Sequence, residues 1–175
     1  MIEKGIEEVI DRLNEAFALK DLGNLNYFLE IQVIRSHNSI LLSQAKYFQD
    51  LLVKSKMRVC KGIESLFNIT EKLKKSEGTR LDNPSFYRSC IGSLQYIVLT
   101  RPELAYFVNK LSQYMNDPRQ SHWIICKRVL RYLKNTIDIH LKFRIIEDHD
   151  LVAYTDTDWA NDPDDRRSIS GYCVF

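Results

Sequence analysis

Asn83-Pro84-Ser85-Phe86-Tyr87-Arg88-Ser89-Cys90-Ile91-Gly92-Ser93-Leu94-Gln95-Tyr96-Ile97-Val98 is the stretch on which the fold turns. An asparagine followed by a proline opens a helix. The asparagine side chain can accept from a free backbone N–H, and proline at the first helical position lacks a donor that would go unbonded there. From that start Phe86, Cys90, Ile91, Leu94, Ile97 and Val98 recur at helical spacing and predict an apolar stripe. Downstream, Thr100 and Glu103 have the spacing of a capping box. After them Leu104, Phe107, Val108, Leu111 and Met115 predict a second helix, which Asp117-Pro118 stops. A third runs from about Ser121 to Lys134, with Trp123, Cys126, Val129, Leu130 and Leu133 expected inside. Three amphipathic helices in succession must bury their stripes on one another, so the centre of the chain is helical.

Working outward toward the N-terminus, residues 56–83 show little periodicity and read as a long loop or linker. Ser43 can cap a helix that continues to about Lys54, with Phe48, Leu51 and Leu52 on one face. Residues 25–35 are rich in Tyr, Phe, Ile and Val and read as a strand. His37-Asn38-Ser39 is a turn, and Ile40-Leu41-Leu42 returns as a short strand, which completes a hairpin. Ile2, Ile6, Val9, Ile10, Leu13 and Phe17 predict an amphipathic helix over 2–18, which Asp21-Leu22-Gly23 breaks. Toward the C-terminus, residues 139–145 and Leu151–Thr155 read as strands, and Asn161–Asp165 as a loop. Gly171–Phe175 reads as a further strand, cut off by the end of the chain.

The chain of 175 residues can bury a core without staples, and 45% hydrophobic with 27% charged residues is ordinary globular composition. Lys+Arg 25 against Asp+Glu 23 leaves +2, too balanced to name a partner. Cys60, Cys90, Cys126 and Cys173 match no zinc-ligand or redox-pair spacing, so they read as free thiols in a reduced compartment. No stretch approaches a membrane span, and the start is no signal peptide. The expectation is a soluble intracellular protein, cytoplasmic or nuclear, with no membrane partner and no small-molecule substrate evident.

The charge is unevenly placed. Residues 119–144 carry Arg119, Lys127, Arg128, Arg131, Lys134, Lys142 and Arg144, with Asp138 as the acid among them. Lys127, Arg131 and Lys134 share one helical face. Residues 147–165 carry eight acids and no Lys or Arg. A basic helix beside an acidic strand end can hold a nucleic-acid backbone near a carboxylate that binds metal. A solvated helix face and an acidic surface loop give the same pattern. Asp156 and Asp158 fall at the end of a predicted strand, a rigid place for a ligand, but two-metal hydrolysis needs several carboxylates together. His37, His122, His140 and His149 are scattered and read as capping or exposed residues. No Gly-rich phosphate loop and no Gly-x-Ser-x-Gly elbow occurs.

Several segments carry a resemblance when taken in order. They begin with Leu19–Gly23, Tyr27–Ile31, Leu42-Ser43-Gln44, Tyr47 and Leu51-Leu52. Tyr87-Arg88-Ser89, Gly92–Tyr96, Leu99–Glu103, His122-Trp123 and Lys127–Lys134 follow. The last are Val152–Ala160 and Asp165–Tyr172. The chain resembles the reverse transcriptase and ribonuclease H region of copia-type LTR retrotransposon Pol polyproteins, over about residues 10–175. The implied fold class is α+β: a β-hairpin and a helical thumb/connection-like segment, then the truncated start of a ribonuclease H-like α/β domain. Residues 1–42 would end the palm, and 43–118 would be thumb/connection-like helices. Residues 119–146 would form a basic bridge, and 147–175 the first ribonuclease H strands. The resemblance places Tyr27, Phe28, Leu29 and Glu30 in a primer-grip-like hairpin and makes Lys127, Arg128, Arg131 and Lys134 candidate nucleic-acid contacts. Asp156 would be the first of four metal-binding carboxylates, hence a catalytic and metal-ligand candidate.

The family implies Mg2+ and, as partner, an RNA–DNA hybrid or a DNA template-primer. The polymerase's paired aspartates are expected upstream of Met1 and three further carboxylates beyond Phe175. The expectation is therefore a catalytically inactive fragment that binds Mg2+ weakly if at all, or else a non-catalytic binding module derived from a retroelement. Glu30 stands where the family's grip has Gly, and glycine permits close backbone approach. Around residues 62–68 the family's Thr-Pro pair is missing. The helical middle, 43–134, is expected to be the most stable unit.

Overall fold

The computed structural model describes residues 2–17, 23–66, 73–76, 78–144, 150–159 and 166–174. The Leu19–Leu22 segment and the loop at 161–165 lie outside them. Among the described residues the fold is mixed α+β, with five α-helices and two small antiparallel sheets. Helix α1 spans Ile2–Ala16, close to expectation. Its apolar face is not covered: Ile6, Val9, Leu13 and Phe17 are all exposed.

The first sheet has the order β1-β2-β3-β4, from Tyr27–Phe28, Ile31–Ser36, Ser39–Ser43 and Leu141–Arg144. Strand β4 pairs with β3 through Ser39↔Arg144 to Leu42↔Leu141, so segments from both sides of the helical middle meet in one sheet. The reading of 25–35 as one strand is corrected. The chain reverses at Leu29-Glu30, and β1 folds back on β2 with Phe28 opposite Ile31. The second sheet is the ribbon β5–β6, Ala153–Asp158 against Ile169–Val174.

The core lies in helices α2 (Ala45–Lys54), α3 (Pro84–Ile97), α4 (Ala105–Ser112) and α5 (Gln120–Asn135). Its buried cluster runs from Phe48 to Leu133, within the segment expected to be most stable. Helix α3 starts as the sequence predicts: Asn83 Oδ1 accepts from the Phe86 N–H at 3.0 Å, and Pro84 takes the first position. At the start of α2 the cap residue is Gln44 and not Ser43, although the Ser43 hydroxyl still accepts from Ala45 N–H at 3.3 Å.

Two further expectations are corrected. Thr100 and Glu103 form no capping box. The Thr100 hydroxyl donates to Gln44 Oε1 at 2.8 Å, and the Glu103 carboxylate accepts from Arg101 Nε at 2.6 Å. A short 3-10 turn, Pro102–Leu104, leads into α4 instead. On α5, Trp123 is half-buried against Phe86, and Ile125 and His122 take inside positions.

The loop at 56–83 carries no helix or strand among its described residues, but it is not a free linker. Met57, Leu66 and Leu73 join the core. Thr79 O accepts from Gln120 N–H and Pro118 O from Leu81 N–H, which lays the loop along the start of α5.

Candidate nucleic-acid interface

The turn at Leu29-Glu30 is built on backbone strain. Both residues have positive φ, 46° and 62°, the region that a Cβ disfavours. A two-residue hairpin turn of this kind matches the twist of its strands, which is why Asn-Gly and Gly-Gly are its usual occupants. Two phenols hold the turn. Tyr27 Oη donates to Glu30 Oε2 at 2.6 Å, and Tyr96 Oη of α3 donates to the Leu29 carbonyl. The bond to Glu30 is the main cause that raises the Tyr27 pKa. Tyr47 of α2 packs edge-on against Tyr96 with ring centroids 5.3 Å apart, and the Lys46 ammonium lies 5.9 Å from the Tyr27 ring. The hairpin tip is thus fixed to the helical unit, while the Phe28 and Leu29 side chains are exposed.

The basic residues of α5 are not equivalent. Lys134 Nζ donates to the carbonyls of Arg58 (2.7 Å) and Cys60 (2.6 Å), and Arg131 Nε donates to Lys61 O (2.8 Å). Ile63 N–H returns a bond to Arg131 O. Residues 58–63 therefore form a strap across α5, held by two of its cations. Gly62 is the strap residue that crosses closest to Asn135, where a Cβ would meet that side chain at 2.9 Å. Arg128 Nε is buried and has no hydrogen-bond partner among the described residues. Lys127 has no such tie among the described residues, and it lines a hollow of about 300 Å³ with Gln120, Trp123 and Phe86.

Asp156 sits inside β5 opposite Gly171, not at the strand's end, and Asp158 is the last strand residue. Asp156 Oδ1 accepts from Thr157 N–H at 2.9 Å. Asp156 faces a groove of about 520 Å³ whose far wall is α4, through Tyr106, Asn109 and Lys110, with Gln113 just beyond the helix end. Among the described residues no three of His, Cys, Asp or Glu come together. Mg2+ takes near-octahedral oxygen coordination, so the donor set described at Asp156 does not by itself fit the ion.

The chain can now be set beside known proteins. The retrovirus-related Pol polyprotein from transposon RE2 of Arabidopsis thaliana is 41% identical over 170 residues, 97% of this chain and 12% of that protein. That from transposon RE1 of the same plant is 39% identical over the same length. An uncharacterized mitochondrial protein of Arabidopsis thaliana is 38% identical over 168 residues, which cover 95% of this chain and 69% of that protein. The chain belongs to the retrovirus-related Pol polyproteins of copia-type transposons. It spans 12% of the length of the two transposon Pol polyproteins just named. No family model matches the chain, and neither does any solved structure.

In this Pol segment many of the residues that carry the resemblance act as architecture. Arg101 is the clearest case: Nη1 donates to Thr136 O and Nη2 to Thr136 Oγ1, both at 2.8 Å, and Tyr132 lies 5.8 Å beneath. Tyr87 Oη donates to Leu111 O at 2.8 Å across α3 and α4, and burial raises its pKa. Arg88 reaches Met115 O. His122 is fully buried and stacks on Tyr114 at 3.9 Å. Its Nδ1 accepts from Arg119 N–H, so the ring proton is on Nε2, which donates to Lys74 O. Sequence reasoning missed the Tyr96–Leu29, Arg101–Thr136 and His122–Lys74 ties. Each joins residues far apart in the chain, where no local spacing rule applies.

Proposed function

We propose that this chain is the stretch of a copia-type Pol polyprotein in which reverse transcriptase passes into ribonuclease H. On this reading residues 1–42 end the palm, 43–118 are thumb/connection-like, 119–146 bridge, and 147–175 begin the ribonuclease H sheet. The chain meets an RNA–DNA hybrid or template-primer at the Tyr27–Glu30 tip, drawn there by the positive charge of α5. As it stands it binds without cleaving or polymerising. Both reactions need several carboxylates around paired ions, and Asp156 has no such company among the described residues.

The observation that supports this reading best is the hairpin tip. A left-handed two-residue turn at Leu29-Glu30, clamped by Tyr96, is the local geometry that explains why the family's grip has glycine at position 30. A fixed tip with exposed Phe28 and Leu29 suits contact with a primer strand.

The test uses the full chain with a labelled RNA–DNA hybrid. Anisotropy across a salt series should show binding that weakens as salt rises, with a negative log–log slope that grows with the number of phosphates neutralised. Incubation with Mg2+ should leave the hybrid intact. Cleavage that requires the metal and disappears in Asp156→Asn would overturn the non-catalytic part. Failure to bind at low salt would overturn the rest.

A further inference from the structure

The end of the four-stranded sheet gathers basic residues that are far apart in sequence. Arg35 near the end of β2, His37 in the next turn and Arg144 at the end of β4 line one hollow of about 330 Å³, with Ser36, Ser39 and Phe143. The pairing brings them there. Arg35 is opposite Ile40 and Ile40 opposite Phe143, which places these three on one sheet face. Ser36 is opposite Ser39 and Ser39 opposite Arg144, so the second arginine comes from the other face. Both faces contribute a cation to the same edge.

We infer that this hollow is a phosphate site that holds the sugar–phosphate backbone of a nucleic-acid strand. Among the described residues no acidic side chain lines it. Among the described residues neither Arg35 nor Arg144 is engaged in an ion pair, whereas Arg80, Arg101 and Arg119 are. Arg131 and Lys134 are committed to the strap, so among the described residues the sheet end offers guanidinium groups outside any ion pair. Guanidinium groups match phosphate oxygens with two parallel N–H donors, and serine hydroxyls are common phosphate contacts. The volume falls at the low end of the ~300–1,000 Å³ range of ligand sites, enough for a phosphate with its sugar. The half-exposed Phe143 ring, 53% accessible, gives the sugar or base an apolar surface. This site is separate from the hairpin tip and from Asp156, and it rests on the reading that the chain meets nucleic acid.

The full chain is tested by anisotropy with a labelled DNA duplex across a KCl series, beside the double variant Arg35→Ala/Arg144→Ala. Both arginines are exposed, and circular dichroism checks that the variant folds. Two lost phosphate contacts should flatten the log–log slope by roughly 1.8 and weaken low-salt binding about tenfold or more. A wild-type chain that binds while the double variant keeps its slope overturns the site and leaves the proposed function standing. No binding by the wild type overturns both. Inorganic phosphate is the second arm, followed by NMR shifts of the Arg35 and Arg144 backbone amides. Shifts with phosphate, together with an unchanged duplex slope, would make this a free-anion site and overturn the backbone assignment.

Discussion

Replacing Arg101 by methionine separates a structural role for the Thr100-Arg101-Pro102-Glu103 segment from a binding role. The Arg101 side chain is 6% exposed, and methionine keeps most of its stem in the same packing. What is lost is the fork onto Thr136 O and Thr136 Oγ1 at the end of α5, and the contact with the Tyr132 ring. Hydrogen bonds from a charged group contribute about 1.5–3 kcal/mol each, net of water. Both acceptors keep a second partner here, because Ile139 N–H also bonds Thr136 O and the Thr136 hydroxyl also donates to Tyr132 O. That places the pair at the low end of the range. The Glu103 pair is partly exposed and adds about 0–1 kcal/mol.

The expected loss is about 3 kcal/mol, a large part of the 5–15 kcal/mol that holds a typical domain. Urea unfolding followed by far-UV circular dichroism reads it as a lower midpoint at unchanged slope. Arg101→Lys keeps the charge and loses the fork, so it should recover less than half. In the Thr136→Val background the methionine change should cost clearly less than in the wild type, because the fork is already broken. A loss below about 1 kcal/mol for Arg101→Met, or a lysine variant as stable as the wild type, would refute the assignment.

Three further outcomes follow from the structure. Asn83→Ala removes the acceptor for Phe86 N–H and should cost about 1 kcal/mol in the same unfolding assay, whereas Asn83→Ser should cost little. Burial raises the pKa of both Cys90 and Cys126, so the folded chain keeps these thiols protonated while the unfolded chain ionises them near pH 8.5. The contribution of these thiols is then constant below that pH and falls above it, by up to about 1.4 kcal/mol per pH unit for each, and Cys90→Ala/Cys126→Ala should flatten the fall. A thiol reagent should label Cys173 quickly and Cys60 more slowly in the native chain, with Cys90 and Cys126 reacting only on unfolding. Four fast thiols under native conditions would contradict the packing.

The helical centre was legible because its signals are local. Asn83-Pro84 marks a start through cap chemistry, and the stripe Cys90, Ile91, Leu94 and Ile97 marks a buried face through periodicity. The turn at Leu29-Glu30 was not legible. Positive φ is normally announced by Gly or Asn, and neither Leu nor Glu announces it, so an apolar run with a hidden reversal reads as one strand. The strap at 58–63 hid for a different reason: its attachment runs through backbone carbonyls, which leave no trace in side-chain pattern. Thr100 and Glu103 had the spacing of a capping box, but tertiary partners took both side chains. On the candidate interface, the sequence named the charges of α5 and could not tell which of them were already committed.

That last difference separates two uses of a cation. Lys134 keeps its positive charge while donating to two carbonyls, so it still draws a polyanion from a Debye length of about 8–10 Å. To touch a phosphate it would have to release the strap. Arg144 lines the sheet-end hollow and is engaged in no ion pair among the described residues. Lys134→Ala should therefore lower stability by about 1–2 kcal/mol, discounted for the part exposure of the pair, and leave the salt slope of duplex binding nearly unchanged. Arg144→Ala should do the opposite, flattening the slope by roughly 0.9 at unchanged stability. The two measurements on the two variants form a crossed design. Equal slope changes would mean that net positive charge alone governs binding and that the strap does not withhold Lys134 from contact.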